Sequence, residues 1–196
     1  MSKIKQQFIE SARQFKNPKV MTITAMFIAI GVVLGFVTNI QITEFIRVGF
    51  SFLPNHFVSM MFGPVVGSVM GGITDLLKYI VRPTGPFFIG FTLNAIVEGI
   101  IVGLVLYKRP LTFKRVLIAN ILIAVVVNIL MTTCWLSILY SKGFFVILST
   151  RIVKHLITVP IDSIVFYAIA KPLSNTKVIK PFLKETKLVN KKAQKV

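Results

Sequence analysis

The sequence predicts an all-α integral membrane protein, a bundle of six transmembrane helices with both termini in the cytoplasm. Of its 196 residues 55% are hydrophobic and only 15% are charged, too few to cover a soluble domain of this size. The formal net charge is nevertheless +17. A lipid bilayer accommodates both properties, provided that the charges lie outside its hydrocarbon core.

The positive charge is concentrated in three segments. Seventeen of the 23 lysine and arginine residues lie in residues 1–19, in residues 108–115 and from Lys171 onward. This pattern matches the positive-inside rule. It predicts a basic cytoplasmic N-terminal segment (1–19), a membrane domain (20–171) and a lysine-rich cytoplasmic tail (172–196). Nucleic-acid binding is excluded, because no basic stripe carries base-stacking aromatic residues.

The first half of the membrane domain predicts three helices. A crossing needs about 20 apolar residues, and the first runs from Val20 to Ile40. In the next apolar stretch, Pro64 removes an amide donor and restricts Gly63 before it, so one helix should end and another begin there. We expect two shorter helices, 50–62 and 64–80, joined by a tight turn.

The second half predicts three more helices. Residues 81–87 contain two prolines and a glycine and therefore form a loop. Helices are expected at 88–107, 116–141 and 146–170.

Six crossings place both termini and the 108–115 loop on the cytoplasmic face. The connections near 41–49, 81–87 and 141–145 then share the outer face, where loops can close over a cavity.

Small residues recur at every fourth position in several helices. Gly63, Gly67 and Gly71 show this spacing, which lets helix backbones approach closely in lipid. We interpret the glycines as packing within the chain. Ala25 and Ala29 repeat the spacing on the first helix, where they serve internal packing or dock a partner helix.

Ionisable residues within the crossings are the first candidates for a site. A charge in hydrocarbon costs several kcal/mol, so such groups normally face the protein interior. Asp75 and Lys78 lie three residues apart and can neutralise each other. Asn94 and Glu98 lie one helical turn apart, and no neighbour in sequence pairs with Glu98, which favours a binding role.

Arg151 and His155 share one face of the sixth helix, and Thr158 and Asp162 continue it. Arg151 lies near the outer end, where it can bind an anion or extend to the membrane interface. The buried carboxylates also leave open an intramembrane enzyme or proton relay.

Several other chemistries find no support. The motifs HExxH, GxSxG and CxxC are absent, and His56 and His155 lack ligand-like spacing, so no metal site or cofactor is predicted. Cys134 is the only cysteine, and its apolar surroundings predict a buried thiol. Residues 67–74 have the glycine spacing of a phosphate loop but carry Ile73 at the lysine position, so no ATPase is predicted.

Three segments carry a family resemblance: ITEFIRVGFSFLP (42–54), FGPVVGSVMGGITDLLKYIVRPTGPFFIGFTLNA (62–95) and STRIVKHLITVPID (149–162). They resemble the folate-type substrate-binding (S) component of energy-coupling-factor (ECF) transporters. The resemblance implies a multi-pass protein of the bacterial cell membrane that binds a vitamin near the outer face and is not itself an enzyme. It also implies partners, a transmembrane coupling subunit and two ATP-binding subunits, with Ala25 and Ala29 contacting the coupling subunit.

The chemistry of folate suits the candidate residues. Its glutamate tail is a dianion, which guanidinium groups bind in bidentate fashion. The amino-amide edge of its pterin ring is rich in donors and calls for a carboxylate or amide, and its flat ring for aromatic faces. The predicted ligand-binding residues are Arg151, Arg47, Glu98, Asn94, His155, Trp135, Phe50, Arg82, Phe87, Asp75 and Tyr140.

Two alternatives remain open from the sequence. Related S components bind other vitamins, such as pantothenate, on the same scaffold. The second alternative is an intramembrane enzyme that uses the buried carboxylates and His155.

Overall fold

The computed structural model describes residues 3–37, 40–41, 47–81, 83, 87–140, 144–174 and 176. Apart from one ladder of two very short antiparallel strands, the regular structure in these ranges is helical. In chain order the elements are α1 (Lys3–Gln14), α2 (Pro18–Val37), β1 (Ile40–Gln41), β2 (Arg47–Val48), a 3-10 turn (Phe50–Phe52), α3 (Leu53–Phe62), α4 (Pro64–Val81), α5 (Ile89–Leu106), α6 (Phe113–Leu122), a π-helical segment (Ile123–Met131), α7 (Thr132–Tyr140) and α8 (Phe144–Ser174).

The predicted break between the second and third helices is confirmed. α3 ends at Phe62 and α4 begins at Pro64, with Gly63 between them at φ +96°. This backbone region strongly favours glycine. The other predicted helices also occur, with ends shifted by a few residues.

Five helical stretches in the described ranges are long and apolar enough to cross a membrane: Pro18–Val37, Pro64–Val81, Ile89–Leu106, Phe113–Leu139 and Arg151–Ser174. Of the six predicted crossings, the one formed by α3 is not among these five. Its ten residues are all buried, and at ~1.5 Å per residue it extends about 15 Å, half of a hydrocarbon core of about 30 Å. α3 is therefore an internal helix surrounded by longer ones.

α4 and α5 approach each other at the level of their backbones. A Cβ atom added to Gly99 would lie 2.5 Å from the carbonyl carbon of Gly67, and one added to Gly71 would overlap the carbonyl oxygen of Ala95. The interpretation of the glycines as packing within this chain is confirmed. Only residues without a side chain allow this contact.

The outer faces of the bundle are apolar. Leu156, Val37 and Ile80 are each more than 70% exposed, and many other large aliphatic side chains point outward with them. Exposed apolar surface on this scale is what a lipid-facing surface requires. Cys134, which the sequence predicted to be buried, is also exposed.

The basic N-terminal segment contains a helix that the sequence analysis did not anticipate. Ser11 of α1 is fully buried; its hydroxyl donates to the Phe62 carbonyl (2.8 Å) and accepts from the amides of Val65 (3.0 Å) and Val66 (3.2 Å). α1 is thereby attached to the turn between α3 and α4.

A second contact joins α1 to the end of α5. Glu10 pairs with Lys108, and the Tyr107 ring beside it is fully buried. Burial raises the pKa of the Tyr107 phenol, and the charge of Glu10 adds to this effect. α1, the α3–α4 turn and the end of α5 thus meet on one face of the bundle.

Candidate ligand-binding site

The site is built from polar side chains on α3, α4, α5, α7 and α8 that point toward one another inside an apolar bundle. Because water is excluded from such an interior, each polar group needs a partner in the protein or in a ligand. The pairings that occur are therefore informative about function.

Asn94 and Trp135, two predicted ligand-binding residues, lie together. The indole Nε1 donates to Asn94 Oδ1 (3.1 Å), and Asn94 Nδ2 donates to the Thr132 hydroxyl (2.9 Å). Thr132 in turn donates to the Val127 carbonyl in the π-helical segment (2.8 Å). This network joins α5 to α7 and holds the Asn94 amide in one orientation.

Aromatic rings surround this network. The Phe88 ring lies 5.5 Å from the Trp135 ring and 5.9 Å from the Phe91 ring, measured between centroids. Phe87, another predicted residue, is about half exposed and contacts the Tyr79 ring at 5.0 Å. Flat aromatic faces near the start of α5 are suited to hold a planar ring system.

Glu98 has a partner that local sequence could not reveal. The imidazole of His56 on α3 lies with Nε2 2.8 Å from Glu98 Oε1, although 42 residues separate the two. His56 is 4% exposed and Glu98 24% exposed. Sequence reasoning missed His56 as a site residue; its one signal is an imidazole in an otherwise uncharged apolar helix.

Asp75 pairs with a hydroxyl and not with Lys78. Its Oδ2 accepts a hydrogen bond from Thr92 on α5 (2.8 Å). Lys78 remains within electrostatic range of Glu98 and Asp75, and its stem lies against Gly35 of α2. Asp75 and Lys78 form no direct ion pair, so the predicted neutralisation between them acts at longer range only.

The predicted polar face of α8 points inward. Arg151 is half-buried and donates from Nη1 to the Asn128 carbonyl in the π-helical segment (3.2 Å). Farther along this face His155 lies 3.4 Å from the Thr158 hydroxyl, and Asp162 is within electrostatic range of His56 and Glu98. Arg151 thus bonds to the protein interior and does not extend outward to the interface.

The remaining predicted residues are described in part or not at all. Phe50 lies in the 3-10 turn and packs against the hydrophobic core. Arg82 lies outside the described residues, as do the side chains of Arg47 and Tyr140. Most of the lysine-rich tail also lies outside them.

Ala25 and Ala29 are exposed on α2, beside the large exposed side chains of Met26, Ile30 and Val33. The pair is therefore not used for packing within the described part of the chain. It leaves a shallow, apolar strip on the surface of the bundle.

The arrangement provides donors, acceptors and aromatic faces for a polar ring-containing ligand. In the described ranges no three His, Cys, Asp or Glu side chains come together in a way that could hold a metal ion.

Comparison with known proteins identifies relatives over most of the chain. Residues 19–170 match the family model described as ECF transporter, substrate-specific component. Folate transporter FolT of Clostridium novyi is 38% identical over 172 residues, which covers 88% of this chain and 99% of that protein. Folate transporter FolT of Leuconostoc mesenteroides is 28% identical over 78% of this chain and 86% of its own length.

A solved structure has the same fold. A crystal structure of FolT bound with folic acid superimposes with a TM-score of 0.71 at 31% sequence identity. The match covers 79% of this chain and 93% of the FolT chain.

Proposed function

Because the chain belongs to the family of ECF transporter substrate-specific components, we propose that it is the folate-binding S component of an ECF-type importer in a bacterial cell membrane. It captures folate at the outer face, and a shared ATP-driven coupling module then drives delivery inward. The observation that carries the proposal is the similarity to a FolT bound with folic acid over 93% of that chain. A relative named as a folate transporter matches over 99% of its length.

The polar groups of the bundle suit the two ends of folate. Arg151, half-buried near the start of α8, is assigned to the glutamate tail together with Arg47 and Arg82. The carboxylate of Glu98 and the amide of Asn94 are assigned to the pterin edge, with Asp75 in reserve. Guanidinium–carboxylate pairs and charge-assisted hydrogen bonds are the strongest polar contacts available for these tasks.

The other assigned residues surround these groups. Trp135 and Phe87 provide faces for the flat rings, and Phe50 and Tyr140 lie in segments that approach the same end of the bundle. His155 lies one helical turn from Arg151.

The finer topology is also a proposal. We assign six passes of the chain through the membrane, with both termini in the cytoplasm; the second pass is made by the short internal helix α3 together with the 3-10 turn before it. Residues 1–19 and 172–196 flank the membrane domain 20–171. The contacts of α1 with the α3–α4 turn and with Lys108 support this assignment, because they bring the basic segments to one face.

The coupling module is assigned to the strip on α2. Its partners are a transmembrane coupling subunit and two ATP-binding subunits, and the exposed Ala25 and Ala29 permit close approach of a partner helix. This subunit contributes binding and the module contributes ATP hydrolysis.

Two measurements test the proposal. Purified protein in detergent should bind folate tightly, and the bound folate should quench the fluorescence of Trp135, the single tryptophan. Pantothenate should not bind. Cells should take up radiolabelled folate only when this chain and the coupling module are both present.

Replacing Ala25 and Ala29 together with leucine separates the two roles of the chain. We expect folate binding to be unchanged and uptake to be lost, because the bulky side chains would keep a partner helix away. The control Ala168→Leu, at an exposed position on α8 and not on this strip, should retain uptake. Absence of folate binding in the parent protein would refute the function itself.

A further inference from the structure

The His56–Glu98 pair joins two helices that lie far apart in sequence, and the sequence did not single it out. His56 is in the middle of α3, a helix whose ten residues are all buried. The pair connects this internal helix to α5.

The imidazole of His56 has little freedom to move. The Phe52 ring lies 5.0 Å away and the Phe166 ring 5.4 Å away, both edge-on to the imidazole. With 4% exposure, the ring is fixed by three helical elements. Its Nε2 is therefore held at a defined position.

Glu98 differs from His56 in exposure. One of its carboxylate oxygens lies 2.8 Å from the imidazole Nε2, and an Nε2–H tautomer of His56 donates to it. The side chain nevertheless keeps 24% of its surface exposed. The carboxylate is thus held by a buried residue while part of the side chain stays open to a further contact.

A free glutamate side chain would occupy several rotamers, and fixing one of them has an entropic cost. A bond from a rigid donor removes most of this cost before a ligand arrives. The carboxylate has about four acceptor positions, so the bond to His56 leaves capacity for a second donor.

We propose that His56 is a positioning residue: it holds the Glu98 carboxylate in the orientation that accepts the donor-rich edge of the ligand's pterin ring. The inference rests on the proposed function, because it assumes that this edge lies against Glu98. His56 itself contacts the carboxylate and not the ligand.

Two substitutions separate the hydrogen bond from the packing. His56→Phe keeps an aromatic ring between Phe52 and Phe166 but removes the donor. His56→Gln keeps an N–H donor at similar reach but removes the ring. A positioning role requires that glutamine restore what phenylalanine loses.

Three probes identify the part of the ligand that is affected. In folate a p-aminobenzoyl unit joins the pterin ring to the glutamate tail. Pteroate keeps the pterin and the p-aminobenzoate but lacks the glutamate. p-Aminobenzoyl-glutamate keeps the glutamate but lacks the pterin. Their affinities can be measured by Trp135 quenching, with competition against folate for the weakest probe.

For His56→Phe we expect the affinities for folate and pteroate to fall by the same factor, about tenfold or more, as for loss of a hydrogen bond to a charged group. The affinity for p-aminobenzoyl-glutamate should be unchanged. His56→Gln should bind all three probes within about threefold of the parent, because it retains the bond. In a Glu98→Gln background, His56→Phe should cause little further loss.

Ser163→Ala is the matched control. It removes another buried bond between helices, Asn120 Nδ2 to Ser163 Oγ at 2.8 Å, and should lower thermal stability without changing the order of the three affinities. Unchanged folate affinity in His56→Phe, or equal losses for all three probes, would overturn the positioning role. Absence of folate binding in the parent would instead refute the proposed function.

Discussion

At the residue scale, several polar groups of the candidate site are paired across helices. Glu98 pairs with His56, Asn94 with Trp135, and Arg151 with a carbonyl of the π-helical segment. An unpaired polar group in hydrocarbon costs several kcal/mol, so these side chains are already satisfied before a ligand arrives. His155 differs from them, because its buried Nε2 has no hydrogen-bond partner within the described residues.

Arg151→Ala tests the end of the site that is assigned to the anionic glutamate tail of folate. We expect the affinity for folate to fall by about tenfold or more, because a bidentate charge-assisted pair with the glutamate tail is lost. The affinity for pteroate, which lacks the tail, should change little. Calorimetric titration of both ligands measures the difference, whereas His56→Phe should weaken the binding of folate and pteroate equally.

Arg109→Ala is the control for this change, because Arg109 is an exposed cation at the other end of the bundle. Equal losses for folate and pteroate in Arg151→Ala would mean that Arg151 acts through its bond to Asn128 and the fold, not through the tail.

At the element scale, the π-helical segment departs most from the sequence prediction. A continuous α-helix was expected over 116–141, but nine residues, Ile123–Met131, form a π-helix. Such segments are rare and often occur at functional sites. Here the segment supplies the Asn128 carbonyl to Arg151 and the Val127 carbonyl to Thr132, so it links the two ends of the candidate site.

Gly99→Ala tests the contact between α4 and α5. The added methyl group would lie 2.5 Å from the backbone of Gly67, which cannot move aside as a side chain could. We expect the free energy of unfolding to fall by about 1–3 kcal/mol, the usual cost of overpacking. Thermal unfolding in detergent measures it.

Ala168→Val is the control for this substitution, because Ala168 is exposed on α8 and added carbon there meets lipid. Its stability should stay close to that of the parent. Equal stability of Gly99→Ala and the parent would contradict the backbone contact.

Ser11 provides α4 with a cap from a different helix. Gly63, which precedes Pro64, has no side chain to accept from the free amides of Val65 and Val66, and the Ser11 hydroxyl takes this role. α1 is thus part of the folded domain and not only a charged extension.

Ser11→Ala should lower the free energy of unfolding by about 1–2 kcal/mol, as for loss of a helix cap. Denaturation in mixed micelles measures the change. Arg13→Ala, at an exposed position on the same helix, should stay within about 0.5 kcal/mol of the parent. If the two variants were equally stable, the cap would contribute nothing.

At the scale of the whole molecule, the distribution of charge determines orientation. The segments rich in lysine and arginine are expected in the cytoplasm, and the contacts of α1 bring two of them together. Cysteine labelling tests the orientation in a Cys134→Ala background, since Cys134 is exposed. Lys195→Cys should react only after the cells are opened, and Thr84→Cys should react with an impermeant reagent in intact cells.

The control for this labelling is the Cys134→Ala protein without an introduced cysteine, which should not react. Reaction of Lys195→Cys in intact cells would show that the chain has the opposite orientation and that the proposed binding face lies on the other side of the membrane.

The sequence alone was enough to predict a lipid environment, an all-helical membrane protein and most of the helix boundaries. These properties depend on sums and local patterns: apolar content sets the solvent, and Gly63-Pro64 sets the break between α3 and α4 through its own backbone chemistry. The inward face of α8 also followed from helical periodicity alone.

Only the tertiary structure decided which polar groups meet. His56 and Glu98 are 42 residues apart, Asn94 and Trp135 are 41 apart, and Ser11 and Phe62 are 51 apart. No local pattern encodes such pairs, because each depends on the rotation and depth of two helices that pack through many other contacts. Helix packing through the glycines of α4 and α5 brings the polar residues to their partners, and the pairs then lower the cost of keeping them in the membrane.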